Sequence, residues 1–130
     1  MDIVIDTSAL LAVIVGEPER DRIIAATAGH TLIGPGAIPW EVGNAFSAMI
    51  KRRRMTLDAA LEGMRAVHSV PIRFLTVDMA NALAIAKREG LYAYDAYFLD
   101  CALRHTAPLL TLDRGLMRSA KSMGVRLLEG

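Results

Sequence analysis

Five short apolar runs punctuate this chain, and the segments between them are helical in pattern rather than turn-like. The runs are Ile3–Asp6, Thr31–Ile33, Ile72–Val77, Leu109–Leu112 and Val125–Leu128. Apolar residues at helical spacing occupy about 8–15, 18–28, 39–53, 56–68, 79–89, 94–105 and 114–123. Strands separated by helices do not pair as hairpins. They pair in parallel through right-handed crossovers, which cover the sheet with helices. The pattern predicts an α/β chain: three α/β/α layers around a mostly parallel sheet of four to five strands.

Local punctuation agrees with those boundaries. Gly16-Glu17-Pro18 separates the first two helices, and Pro39 suits the first turn of the third. Thr56 with Asp58, and Thr76-Val77-Asp78, read as capped helix starts, while Gly90 and Gly124 suit helix ends. No repeat, linker or low-complexity stretch divides the chain, so residues 1–130 are expected to form one domain. At 53% apolar residues it can bury a core of its own.

Cys101 is the sole cysteine, which excludes an intrachain disulfide, and its place in an apolar helix marks it as a buried thiol. Met1-Asp2 lacks the basic start of a signal peptide. No apolar run reaches the roughly 18–20 residues of a membrane helix. The expectation is a cytoplasmic protein without a membrane partner.

The chemistry concentrates on four acids. Asp6 ends the first apolar run, and Thr7-Ser8 follow at once where a helix begins. Asp113 repeats that arrangement after Leu109-Leu110-Thr111-Leu112. Glu41 opens the helix that carries Val42, Ala45, Phe46, Met49 and Ile50, and Asp95 opens the one after Leu91. Each has a structural reading as well, as a cap or as a charge that complements a helix dipole. Together they fall at strand ends and helix starts, the edge where open α/β sheets bind ligands. Four converging carboxylates repel an anionic substrate and suit a divalent cation.

The fourteen acids oppose fifteen Lys and Arg, for a net charge of +1. With four acids set apart in a site, the remaining surface carries an excess of about five positive charges, which suits a polyanionic substrate. Lys51, Arg52, Arg53 and Arg54 form the densest basic run, and Arg114 adjoins Asp113. These are candidate contacts for the phosphates of a polyanion or for a partner; a solvated helix end is the other reading of the run. The aliphatic helices at 8–15 and 18–28 exceed what a core needs and suggest a groove for a partner, while Trp40 and Phe46 are expected in the core. Gly43 inside a helix hints at a close approach there.

Val4-Ile5-Asp6-Thr7-Ser8-Ala9, Trp40-Glu41-Val42-Gly43-Asn44-Ala45, Tyr94-Asp95-Ala96-Tyr97 and Leu110-Thr111-Leu112-Asp113, in that order, resemble the motifs of the PIN-domain nucleases. More narrowly, they resemble VapC-type ribonuclease toxins of toxin–antitoxin pairs. The resemblance implies a PIN-like fold and a metal-dependent endoribonuclease that hydrolyses RNA phosphodiester bonds. It implies that Asp6, Glu41, Asp95 and Asp113 hold one or two Mg²⁺ or Mn²⁺ ions, with Thr7 or Ser8, Asn44 and Thr111 orienting them. It also implies a cognate antitoxin as inhibitor and a homodimer. Asp100 departs from the apolar residue expected five positions after the third acid; helix geometry places it roughly 140° from Asp95, solvated or paired with Arg104.

Two alternatives remain open at this point. A receiver-like phosphoacceptor domain also gathers acids at parallel strand ends, but the paired acid after the first strand and the lysine after the last are missing. A catalytically silent PIN-like binding module fits less well, because all four acids are present. No nucleotide-binding glycine loop or nucleophile elbow occurs.

Overall fold

Ile3, Val4 and Ile5 are at most 2% exposed, as a strand covered on both faces requires. The computed structural model describes residues 1–129. The chain runs through β1 (Asp2–Ile5), α1 (Thr7–Val15), α2 (Arg20–Thr27), β2 (Thr31–Pro35), α3 (Ile38–Lys51) and α4 (Leu57–Ser69). It continues through β3 (Ile72–Leu75), α5 (Met79–Glu89), α6 (Ala93–Arg104), β4 (Leu109–Leu110) and α7 (Arg114–Ser122).

The sheet order is β3-β2-β1-β4, and every pairing is parallel. Val4 stands opposite both Ile33 and Leu109, so β1 is an inner strand. The chain steps outward from β1 to β2 to β3 and then returns past β1 to β4. Crossovers of one hand therefore place α1–α4 on one face and α5 and α6 on the other. The packing agrees: α1 touches α2, α3 and α4, whereas α6 touches α5, β1, β2 and β4. The result is the expected three-layer α/β/α arrangement. The reversal at β1 leaves a crevice beyond the carboxyl ends of β1 and β4, which is where such sheets bind ligands.

Three strands are shorter than expected: β3 stops at Leu75 rather than Val77, β4 stops at Leu110 for a local reason, and the last run contracts most. Thr111 and Leu112 lie beyond β4 because side chains take over their neighbourhood's backbone bonds. Leu112 N–H donates to Ser8 Oγ (3.0 Å) and Asp113 N–H to Thr111 Oγ1 (3.0 Å). The anticipated fifth strand, Val125–Leu128, contracts to a single parallel bridge between Leu109 and Leu127.

Phe46, at 2% exposure, joins Ile23, Leu10, Phe98, Leu99 and Leu116 in the core as expected. Trp40 does not. It lies in the first turn of α3, beyond the sheet edge, and is 75% exposed. Gly43 also departs from expectation, since a Cβ there would meet nothing within 4 Å. The close approach occurs at Gly63 on α4, where a Cβ would meet the Phe46 ring at 2.8 Å. Cys101 is buried, and burial, with the charge of Asp100 adding to it, pushes its thiol up to about 11. Among the described residues, no helix is long and apolar enough to cross a membrane.

Candidate metal centre

Asp6 closes β1 and caps α1, so strand and helix together fix its carboxylate at the crevice. Oδ1 accepts from Ala9 N–H at 2.9 Å and from Ser8 Oγ at 2.7 Å. Oδ2 accepts from Thr111 Oγ1 at 2.5 Å and from Ser8 Oγ at 2.9 Å. Asp6 itself, rather than Thr7 or Ser8, caps α1, because a carboxylate at the positive end of the helix satisfies an otherwise unpaired N–H. Asp113 does the same for α7, accepting from Leu116 N–H at 3.0 Å. Capping and site-building are therefore one role at both strand ends.

Glu41, in the first turn of α3, accepts from Thr7 Oγ1 at 3.1 Å through Oε1. Its other oxygen, Oε2, is buried without a hydrogen-bond partner. Asp95 sits in the first turn of α6 and caps nothing; Tyr92 holds the cap position. Asn44 lines a cleft of about 270 Å³ with Thr7, Trp40, Glu41, Ala45 and Tyr94.

Charge repulsion links the four acids in a closed circuit. Burial raises the Asp6 carboxyl above the usual carboxylate range, opposed by the bonds from Thr111, Ala9 and Ser8, and the charge of Asp113 raises it further. Burial also raises Glu41 to about 7, with Asp95 and Asp6 adding to the shift against the bond from Thr7. Asp95 is raised by burial and by Asp113. None of the four pairs with a lysine or arginine among the described residues. A buried carboxylate oxygen without a donor, amid uncompensated negative charge, is the chemistry of a cation site. Carboxylate oxygens are hard ligands of the kind that suit a divalent cation. As the side chains stand, no three such ligands among the described residues converge closely enough to share one ion.

Residues 3–122 match the family described as PIN domain. The chain belongs to the PIN-domain family. Members are typically nucleases, which use divalent metal ions. Among solved structures, PAE2754 from Pyrobaculum aerophilum superposes with a TM-score of 0.75 at 25% identity, covering 98% of this chain and 84% of that one. VapBC2 from Rickettsia felis, bound to a DNA fragment from its promoter, gives 0.67 at 13% identity, covering 98% and 97%. A toxin–antitoxin complex from Klebsiella pneumoniae gives 0.57 at 18% identity, covering 85% and 86%. No curated protein matches the chain.

The remaining anticipated residues divide by position. Arg114 is exposed on the first residue of α7, directly after Asp113. Lys51, Arg52 and Arg53 are exposed at the other end of α3, about 15 Å of helix rise from Glu41. Asp100 is fully buried rather than solvated. It accepts from Arg104 Nε at 3.1 Å, Asn81 Nδ2 at 2.8 Å and Asp78 N–H at 3.0 Å, fastening α5 to α6. The spacing to Arg104 signals the pair; Asn81 carried no such signal.

Proposed function

We propose that this PIN domain is a metal-dependent endoribonuclease and the toxin of a type II toxin–antitoxin pair. The single observation behind the reading is the closed circuit of Asp6, Glu41, Asp95 and Asp113, unpaired with any lysine or arginine among the described residues and with Glu41 Oε2 unpartnered. These four would hold one or two Mg²⁺ or Mn²⁺ ions. Bound there, the metal supplies Lewis acidity toward the scissile phosphate and lowers the pKa of a water nucleophile. The protein's part is to position and to neutralise. Ser8 and Thr111 lock the Asp6 carboxylate, and Thr7 turns Glu41 so that Oε2 faces inward. Asn44, exposed beside Glu41, offers a neutral amide to the substrate. Arg114 adjoins the site for contact with a phosphate, and Lys51, Arg52 and Arg53 extend basic ground for the rest of an RNA strand.

The toxin assignment draws on the likeness to solved toxin–antitoxin complexes together with the sequence motifs. Val15 on α1 and Ile24 on α2, each 41% exposed, offer apolar ground to a segment of the antitoxin. The protein acts as a cytoplasmic homodimer in this reading. Its test is RNA cleavage by purified protein with Mg²⁺ or Mn²⁺, lost in EDTA and restored by excess metal. Full cleavage after rigorous metal removal would overturn it.

A further inference from the structure

Among the described residues four large aromatic side chains stand in solvent, and two of them, Trp40 and Tyr94, line the cleft beside the carboxylates, whereas Tyr92 and Phe74 do not. Trp40 is 75% exposed and Tyr94 is 53% exposed, and the two line the cleft that contains Glu41 and Asn44. Each directly precedes an acid in the first turn of its helix: Trp40-Glu41 on α3 and Tyr94-Asp95 on α6. Successive residues on a helix diverge by about 100°. An acid turned into the crevice therefore puts the aromatic before it on the rim. Tyr94 is braced there by an edge-on contact with Tyr97, at 5.7 Å between centroids and 78° between planes.

We propose that Trp40 and Tyr94 form a base-stacking rim that holds an unpaired nucleobase of single-stranded RNA beside the scissile phosphate. This rests on the nuclease reading and deepens it. A phosphate over the carboxylates leaves its adjoining bases at the border of the site, and the exposed faces there are aromatic. Stacking needs a splayed base, so the rim selects single-stranded over duplex RNA. Asn44 lines the same cleft and carries both a donor and an acceptor for a base edge. A protein segment docking here would have to bring its own positive charge against the acids; a base brings a neutral π-face.

Trp40 is the only tryptophan, so its fluorescence reports on the rim alone. A mixed-sequence oligoribonucleotide and an abasic strand of equal length and charge are titrated into protein kept in EDTA. Affinities are measured from the anisotropy of labelled strands. The base-bearing strand is expected to quench Trp40 and to bind at least about tenfold more tightly than the abasic one. Trp40→Ala is expected to weaken the base-bearing strand about tenfold, leave the abasic strand unchanged and keep its circular dichroism. Trp40→Phe retains most of the affinity. Equal affinity for the two strands, binding of neither, or undiminished binding by Trp40→Ala overturns the rim. Metal-dependent cleavage without quenching refutes the rim and spares the nuclease. Quenching by a protein that never cleaves RNA refutes the nuclease and spares the rim as a base-binding surface.

Discussion

Thr111 donates its hydroxyl proton to Asp6 Oδ2 across 2.5 Å, joining the ends of β4 and β1, 105 residues apart in sequence. The bond has two effects. It draws the two strands' carboxyl ends together, and it opposes the rise that burial imposes on the Asp6 carboxyl. Thr111→Val keeps the shape and removes the donor. The expected outcome is a loss of about 1–3 kcal/mol, because a buried carboxylate oxygen loses its closest donor. Thr111→Ser is expected to restore most of it. Thermal denaturation of the three proteins at equal pH measures both.

Glu41 makes folding pH-dependent in a defined direction. Its carboxyl is raised from 4.5 to about 7 in the folded state, so the folded protein holds this proton more tightly than the unfolded chain. Below pH 4.5 the group is protonated in both states and costs nothing. As pH rises from there to about 7, the unfolded chain ionises first and folding loses stability; above about 7 the cost is complete. Glu41→Gln is therefore expected to match the parent at pH 4 and to exceed it at pH 8 by about 1 kcal/mol, after allowance for solvent screening of a partly exposed group. Melting temperatures across that range, in EDTA, check the sign. Equal gains at both ends would show that the charge of Glu41 is not what strains the fold.

Asp95 and Asp100 share a helix and serve different ends. Asp95→Asn is expected to keep the fold and to slow RNA cleavage at least about tenfold, roughly 1.4 kcal/mol in the transition state. Asp100→Asn weakens the joint between α5 and α6. It is expected to lower stability by about 2 kcal/mol, since Arg104 loses its buried counter-charge. Cleavage by the folded fraction then stays within a few-fold of the parent. A cleavage assay beside a denaturant titration separates the two, and the reverse ordering would place the wrong face of α6 in the site.

Growth offers a test of the biological role. Expression of the protein alone is expected to arrest growth, and Asp6→Asn or Glu41→Gln to relieve the arrest at equal protein level. Arrest by both variants as strong as by the parent would disconnect toxicity from the acids.

The fold was legible because β-branched runs and helical spacing act locally. Ile3-Val4-Ile5 announces a buried parallel strand, and Thr56, Asp78 and Gly90 end or begin helices by their own backbone chemistry. The placement of the candidate site was legible where strand ends coincide with acids, as at Asp6 and Asp113. What escaped depends on contacts remote in sequence. Trp40 reads as a core residue by type, and only the absence of a covering layer at the sheet edge exposes it. Asp100 looks like surface charge until Asn81, nineteen residues away, and the start of α5 close over it. The shortness of β4 follows from Ser8 capturing the Leu112 amide, a partner 104 residues distant that no local pattern names.

Titration of Mn²⁺ into metal-free protein by calorimetry at pH 7.5 bears most directly on the four carboxylates. Saturable binding of one or two ions is expected, with at least about tenfold weaker affinity in Asp6→Asn and no change in Trp40→Ala. Absence of binding by the parent, or equal affinity in parent and Asp6→Asn, would contradict a metal centre built on Asp6, Glu41, Asp95 and Asp113.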